Sequence, residues 1–415
     1  MIAQAARGST ISGLMSPSID EQIQALSRRC ERIISEQELR KKLELSAASG
    51  IPLRIKLGMD PTAPDVTLGH CVPLKVVRQF QDFGHKAVLI IGDYTARVGD
   101  PTGRNATRPA LTGDEIDANA RTYAQQVGKV LLTDPQHLEV RYNSEWLGKM
   151  GLVEIIKLAA RKSVAQVLAR EDFAKRYADG VDIRLHEILY PLLQGWDSVM
   201  ISADVEMGGS DQLFNNLVGR EFQKEEGQFG QCVFVTPLLV GTDGAIKMSK
   251  SKGNYIAVTD PASGNGGMFG KIMSLPDVLM ESYYQLLTDI PQSEYSQLIS
   301  QSPRDAKVGL AKRLITWLHD ASAADAAEKD FFTATHGGVP DDVPELNVAE
   351  SSQSVVALLV AAKICASNGE ATRKIKEGAV KLDGEKVVDP KLLVVVSSPR
   401  VLQMGSKRFV RLIPA

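Results

Sequence analysis

The chain has 415 residues, 44% hydrophobic and 24% charged, enough for two or three domains and at least one large core, and the composition excludes wholesale disorder. With 48 Lys and Arg against 50 Asp and Glu the net charge is -2, so the whole-chain balance gives no sign of nucleic acid. The four cysteines (Cys30, Cys71, Cys232, Cys365) form no C-x-x-C pair and point to a reducing compartment without a cysteine-built zinc site, and apolar runs such as Val355 to Ala362 fall far below the roughly 20 residues of a membrane span.

Met1 to Pro17 lacks a continuous apolar stretch, so a secretory signal is not expected and a cytoplasmic location is, although a Ser-, Ala- and Arg-bearing transit leader stays open. Residues 1–48 are expected to form a helical lead-in, with Ile23, Leu26, Ile33 and Ile34 among charged residues. Leu53 to Leu57 reads as a strand, His70 to Phe83 as a helix closed by Gly84, and Ala87 to Ile91 as a second strand. That is a βαβ unit, which implies a parallel sheet with a ligand site at its strand ends. Val199 to Val205 reads as another strand, running through Gly208-Gly209-Ser210-Asp211 into a helix from Gln212 to Phe222. Residues 49–245 therefore predict a doubly wound, Rossmann-like α/β domain with a helical insertion near 113–176.

A lysine-rich loop at 246–256 follows, then a helical domain over 257–333 with helices at Leu279 to Leu287, Tyr295 to Leu298 and Ala306 to His319. Gly337, Gly338, Pro340, Pro344 and an acidic cluster mark a linker at 334–350. The last module, 351–415, is expected to be small and α+β, with a helix from Val355, a basic helix from Glu370 to Lys376, and a hairpin turning at Asp383-Gly384. Residues 351–415 hold eleven basic and five acidic residues, +6, which leaves -8 for the remainder.

Two segments carry chemistry. Gly58 to His70 places Thr62, Thr67, Gly69 and His70 between a strand and a helix N-terminus, where backbone N–H groups and the helix dipole favour an anion; a polar loop that merely caps a helix reads equally well. Lys247-Met248-Ser249-Lys250-Ser251-Lys252 is a cationic, hydroxyl-bearing loop suited to a polyphosphate, though a solvated charge run is the usual alternative. Together they resemble the paired HIGH and KMSKS signatures of class I aminoacyl-tRNA synthetases, in the same order and one in each half of an α/β sheet. Three further segments resemble the tyrosine pocket of bacterial tyrosyl-tRNA synthetases. Tyr190, Gln194 and Asp197 share a helix face at i, i+4 and i+7, with Pro191 in a first turn or at a kink; Gly99-Asp100-Pro101 and Gly208 to Gln212 supply further carboxylates. Gly369 to Gly384 resembles the S4-type RNA-binding fold that closes those enzymes.

The resemblance implies tyrosine–tRNA ligation: adenylate formation from tyrosine and ATP, then transfer to the 3′-terminal ribose of tRNA(Tyr). It implies that Asp197 accepts the phenol hydroxyl, that Tyr190, Gln194 and Asp100 hold the ammonium group, and that Gln212 lines the site. It implies further that Asp211 meets the ATP ribose and that Thr62, Thr67, His70, Lys247 and Lys250 act on the phosphates, with Gly69, Met248, Ser249 and Ser251 in the ATP site and Arg104 and Arg108 as further candidates. Mg²⁺ is expected with ATP and no protein-held metal. Arg373, Lys374, Lys376 and Lys381 are expected to touch RNA, and a homodimer joined through 113–176 is expected. Two departures stand out: Thr67 replaces the first His of the family motif, and Lys56 stands where one subgroup has a tyrosine that touches the phenol. A non-catalytic RNA binder, a small-molecule nucleotidyltransferase and a tryptophan enzyme are the competing readings; the intact lysine loop, the +6 tail, and Asp197 with Gln194 weigh against them in turn.

Overall fold

The computed structural model describes residues 17–100, 112–335, 343–348, 352–405 and 408–414. Arg104, Arg108 and most of the expected linker lie outside them. The chain divides between Leu239 and Val240 into two compact units.

The first unit is built on a six-stranded sheet: β1 Arg32–Ile34, β2 Arg54–Met59, β3 Lys86–Ile91, β4 Leu138–Tyr142, β5 Val205–Gly209 and β6 Cys232–Thr236, in spatial order β1-β6-β5-β2-β3-β4. The inner strands are parallel; β1 joins β6 antiparallel. The apolar runs of β2 and β3 agree with this placement, because parallel strands covered on both faces read as continuous hydrophobic stretches. β1 and β4 correct the purely helical readings of 1–48 and 113–176. Three residues are too few for β1 to show a period of two, and β4 (Leu-Glu-Val-Arg-Tyr) is half-buried along its length, so neither carries a strong strand signature. Val199 to Val205 is also corrected: Val199 and Met200 end the Leu185–Met200 helix, and the strand begins at Val205. Pro191 is the seventh residue of that helix, past its first turn.

The Leu185–Met200 helix crosses the Leu213–Glu225 helix closely, and two glycines permit it. A Cβ at Gly195 would lie 2.9 Å from Val218, and one at Gly219 only 2.6 Å from the Ser198 hydroxyl. Side chains of both helices thereby meet above the sheet, around a core that includes Val88, Ile90, Trp146, Leu192, Leu193 and Phe222.

In the second unit Val240 bridges to Lys247, and the Tyr283 hydroxyl donates to the Val240 carbonyl at 2.7 Å. The division between the units thus falls at 239/240, a little before the expected domain end at 245. Helices Met268–Met273, Met280–Leu287, Gln292–Gln301, Pro303–Leu318 and Ala321–Thr335 follow. The C-terminal module has a five-stranded sheet and helices Val355–Ala361 and Asn368–Lys376 over a core of Val355, Leu358, Leu359, Ile375, Val380, Leu402 and Leu412. Its hairpin turns at Asp383 (φ 51°) and Gly384 (φ 86°), the double positive φ of a two-residue loop. Glu345–Val348, expected within the linker, is a strand paired parallel to Arg408–Pro414.

Candidate active site

In the first unit the sheet order reverses between β2 and β5, and the crevice at the carboxyl ends of such strands is where open α/β sheets bind ligands. Asp60 follows β2, Thr95 follows β3, Asn143 and Trp146 follow β4, and Asp211 and Gln212 follow β5. The Leu185–Met200 helix adds Tyr190, Gln194 and Asp197.

The five expected tyrosine-pocket residues fall on two hydrogen-bonded strings. In the first, Gln212 Nε2 donates to Asp100 Oδ2 at 2.9 Å, and the buried Asn215 amide donates to Gln212 Oε1 and Gln194 Oε1, both at 3.0 Å. In the second, the buried Asp197 accepts from Trp146 Nε1 at 2.8 Å and from Asn143 Nδ2 at 3.3 Å. Asn143 also donates to Thr95 Oγ1 at 2.9 Å, Thr95 donates to Asp60 Oδ1 at 2.8 Å, and the Tyr190 hydroxyl donates to Asp60 Oδ2 at 3.0 Å. A phenol that gives its proton to Asp60 keeps its oxygen lone pairs for a cationic ligand.

Burial pushes Asp60 up to about 7, against the Thr95 hydrogen bond that favours its ionised form; the nearby Asp100 and Asp197 push the same way as burial. Burial likewise pushes Asp197 up to about 7, opposed by the Lys56 charge and by the bonds from Trp146 and Asn143. Two carboxyls poised near neutrality in one crevice are a mark of a functional site.

On the other side of β2, Thr67 caps the Leu68–Asp82 helix. Its backbone N–H donates to His70 Nδ1 at 3.1 Å, and its hydroxyl lies 2.8 Å from the same nitrogen. Because Nδ1 accepts, the proton of the neutral imidazole sits on Nε2. Thr67 is buried, so its hydroxyl serves the imidazole and not an open surface. The approach segment is tied to the Gly113–Val127 helix: Asn119 donates to the Pro61 carbonyl at 3.0 Å, Gln126 Nε2 to the Pro64 carbonyl at 2.6 Å, and the Val66 N–H to Gln126 Oε1 at 2.7 Å. Thr62 N–H bonds the Asp60 carbonyl at 2.8 Å, joining this segment to the pocket.

The lysine loop belongs to the second unit. Residues 250–252 form one 3₁₀ turn, closed by Gly253. The loop is organised from within by the buried Asn254, whose Oδ1 accepts from the Ser249 N–H at 2.8 Å and whose Nδ2 donates to Asp243 at 2.8 Å; Ser249 and Ser251 hydroxyls bond each other at 2.8 Å. Met248 is buried and anchors the turn, while Lys247 and Lys250 are half-buried. In the C-terminal module Arg373, Lys376 and Lys381 are exposed, and Lys374 is half-buried and paired with Glu377 at 2.7 Å.

Asp60, Thr95, Asn143 and Trp146 are not singled out by the sequence reading. Asp60 has a usable signal, a carboxylate one residue past a strand of a βαβ unit. The other three are positioned by loops after separate strands, and only the sheet order brings them to Asp197.

Comparison with known proteins covers both units. Residues 49–335 match the family described as tRNA synthetases class I (W and Y), and residues 336–402 match the tyrosine–tRNA ligase SYY-like C-terminal domain. The chain is 48% identical over 403 residues to the tyrosine–tRNA ligase of Bordetella avium, covering 96% of this chain and 97% of that one. It is 49% identical over 406 residues to that of Idiomarina loihiensis, covering 96% and 99%. The crystal structure of an Archaeoglobus fulgidus tyrosyl-tRNA synthetase shares the fold, with a TM-score of 0.60 at 23% identity over 74% of this chain and 99% of that one.

Proposed function

This chain belongs to the class I tRNA synthetases for tryptophan and tyrosine, and from that premise we propose how its own residues carry the reaction. The reaction is tyrosine–tRNA ligation: tyrosine and ATP give tyrosyl-adenylate and pyrophosphate, and the tyrosyl group passes to the 3′-terminal ribose of tRNA(Tyr). The observation that carries the assignment of residues is the convergence of Asp100, Tyr190, Gln194, Asp197 and Gln212 on one crevice at the sheet's switch point. Asp197 accepts the phenol hydroxyl. Tyr190, Gln194 and Asp100 hold the ammonium, with Asp60 fixing the Tyr190 hydroxyl. Asp211 takes the ATP ribose.

The tyrosine carboxylate is already ionised, so attack on the α-phosphorus needs no general base. Rate comes from alignment and from stabilising charge on the leaving pyrophosphate. His70 contributes its Nε2 proton and Thr62 a hydroxyl, Thr67 holds the His70 ring, and Gly69 lets the helix N-terminus approach the nucleotide. Lys247 and Lys250 carry the cationic charge of the loop shaped by Met248, Ser249 and Ser251. Mg²⁺ would arrive with ATP as part of that substrate and add positive charge at its phosphates. Arg373, Lys374, Lys376 and Lys381 contact tRNA phosphates. The domain plan is a catalytic α/β domain, the lysine loop, a helical domain and an S4-like module, in a cytoplasmic homodimer. No helix among the described residues is long and apolar enough to cross a membrane.

Tyrosine-dependent exchange of pyrophosphate into ATP tests the assignment. Lys250→Ala lowers the exchange rate by about 10²–10³, the usual loss when one charge-stabilising donor is removed, and leaves tyrosine KM unchanged. Exchange equal to the parent removes Lys250 from the mechanism.

A further inference from the structure

One charged pair at the tyrosine crevice has no part in the reaction as described. Lys56 and Glu206 are direct cross-strand partners on β2 and β5, among the apolar Ile55, Leu57, Val205 and Met207, and both are buried. All three ammonium protons of Lys56 have acceptors: Glu206 Oε1 at 2.8 Å, the Ser198 hydroxyl at 2.7 Å and the Gln194 carbonyl at 3.0 Å. The Ser198 hydroxyl donates in turn to Glu206 Oε2 at 3.1 Å, which also accepts from the Gln231 amide. The ring of three is closed and neutral. Stability alone is a weak reason for such a pair, since buried ion pairs are commonly replaceable by apolar residues without loss. Its contacts are more telling: Lys56 grips the helix at Gln194 and at Ser198, the two ends of the turn that displays Gln194 and Asp197.

We propose that Lys56 and Glu206 are positioning residues for tyrosine selection, a neutral buried clamp that fixes the 194–198 turn so that Gln194 and Asp197 meet the substrate at set places. The proposal rests on the assignment of those two side chains to tyrosine. Charge adds a second effect. The charged and titratable groups around Asp197 are Lys56 from β2, Glu206 from β5, Asp60 from the end of β2, and Tyr190 on its own helix, with Trp146 and Asn143 as neutral donors. Lys56 favours the ionised carboxylate that a phenol needs as acceptor, and Glu206 opposes it. The pair thus braces the acceptor from behind and sets the balance of charge upon it.

The double variant Lys56→Met with Glu206→Gln removes both charges without leaving either unpaired. In pyrophosphate exchange it raises tyrosine KM by about 10- to 100-fold, the scale of loss for a misplaced contact, and leaves ATP KM unchanged. The acid limb of kcat/KM for tyrosine moves to higher pH, because the larger of the two opposing charges on Asp197 is gone. If the double variant does not fold, Glu206→Gln alone decides: its amide oxygen still accepts from Lys56, and the acid limb moves to lower pH. A folded double variant with unchanged tyrosine KM and acid limb overturns the clamp, as does an unshifted acid limb in Glu206→Gln. Asp197→Asn in the same assay separates this from the site assignment. Tyrosine KM unchanged there removes the assignment and the proposal with it, whereas tyrosine binding lost there but intact in the double variant overturns the clamp alone.

Discussion

Asp60 shows what the pocket costs the fold. Its carboxyl is held between the Thr95 and Tyr190 hydroxyls, both of which can rotate to accept as well as donate. A folded-state value of about 7 lies above the ordinary 3.8, so the folded protein binds this proton more tightly than the unfolded chain. The stabilising contribution is complete below about pH 4 and is lost as pH rises through 7. Asp60→Asn removes that titration. The variant should melt higher than the parent at pH 8, by on the order of a few degrees, with the difference shrinking toward pH 5; a difference independent of pH between about 5 and 8 contradicts the reading. Tyrosine KM should rise in the same variant, because Asn can donate to the Tyr190 oxygen proposed to meet the ammonium. At this scale the sequence is informative where residues share a helix: the spacing of Tyr190, Gln194 and Asp197 alone puts them on one face. It is mute on Glu206 and Asn143. Lys56 and Glu206, like Asn143 and Asp197, are far apart in the chain and meet only through the order of the strands.

At the scale of elements, the Gly113–Val127 helix is tied to residues 61–66, the segment proposed to lie on the phosphate side, and acts on it as a splint. Gln126 alone makes two bonds to it, one in each direction, and Asn119 a third. The sequence marks this helix as part of an insertion and gives no hint that its face holds residues 61–66, since the contact joins segments 60 residues apart. Gln126→Ala leaves the buried Val66 N–H without this partner, which costs on the order of 1–3 kcal/mol locally, while the carbonyl of the exposed Pro64 keeps the Thr122 hydroxyl as a donor. The expected result is slower adenylate formation, about 10-fold or more, with tyrosine KM little changed because the pocket residues lie on other elements. Unchanged single-turnover adenylate formation in a folded variant refutes the splint. The long, strongly patterned elements are legible to within a few residues, as for the helix found at Leu68–Asp82 and the hairpin at Asp383-Gly384. Short strands are not, because β1 and Glu345–Val348 exist only through the partners they pair with.

For the whole molecule, the split between an acidic body and a basic tail predicts a salt-sensitive grip on tRNA. Because Glu345–Val348 is a strand of the C-terminal sheet, a cut at 351 would leave it without its partner, and the clean truncation removes 336–415. That variant should keep tyrosine-dependent pyrophosphate exchange and lose tRNA charging, and the parent's charging KM should rise steeply with salt as counterions are released from tRNA phosphates. Charging that survives truncation unchanged would show that the grip lies elsewhere. The proposed homodimer has a surface signal of its own. The insertion exposes Leu152, Val153, Ile156 and Val164 at 75%, 59%, 58% and 60%, a run of apolar side chains that an isolated subunit would leave in water. Leu152, Val153 and Ile156 lie on one helix, Leu152–Ala159, whose only buried residue is Leu158. Leu152→Glu with Ile156→Glu places two charges one turn apart on this surface without touching the core. The parent is expected to sediment as a dimer of about twice 45.0 kDa and the double variant as a monomer with unchanged far-ultraviolet circular dichroism. A variant that stays dimeric moves the interface off this helix.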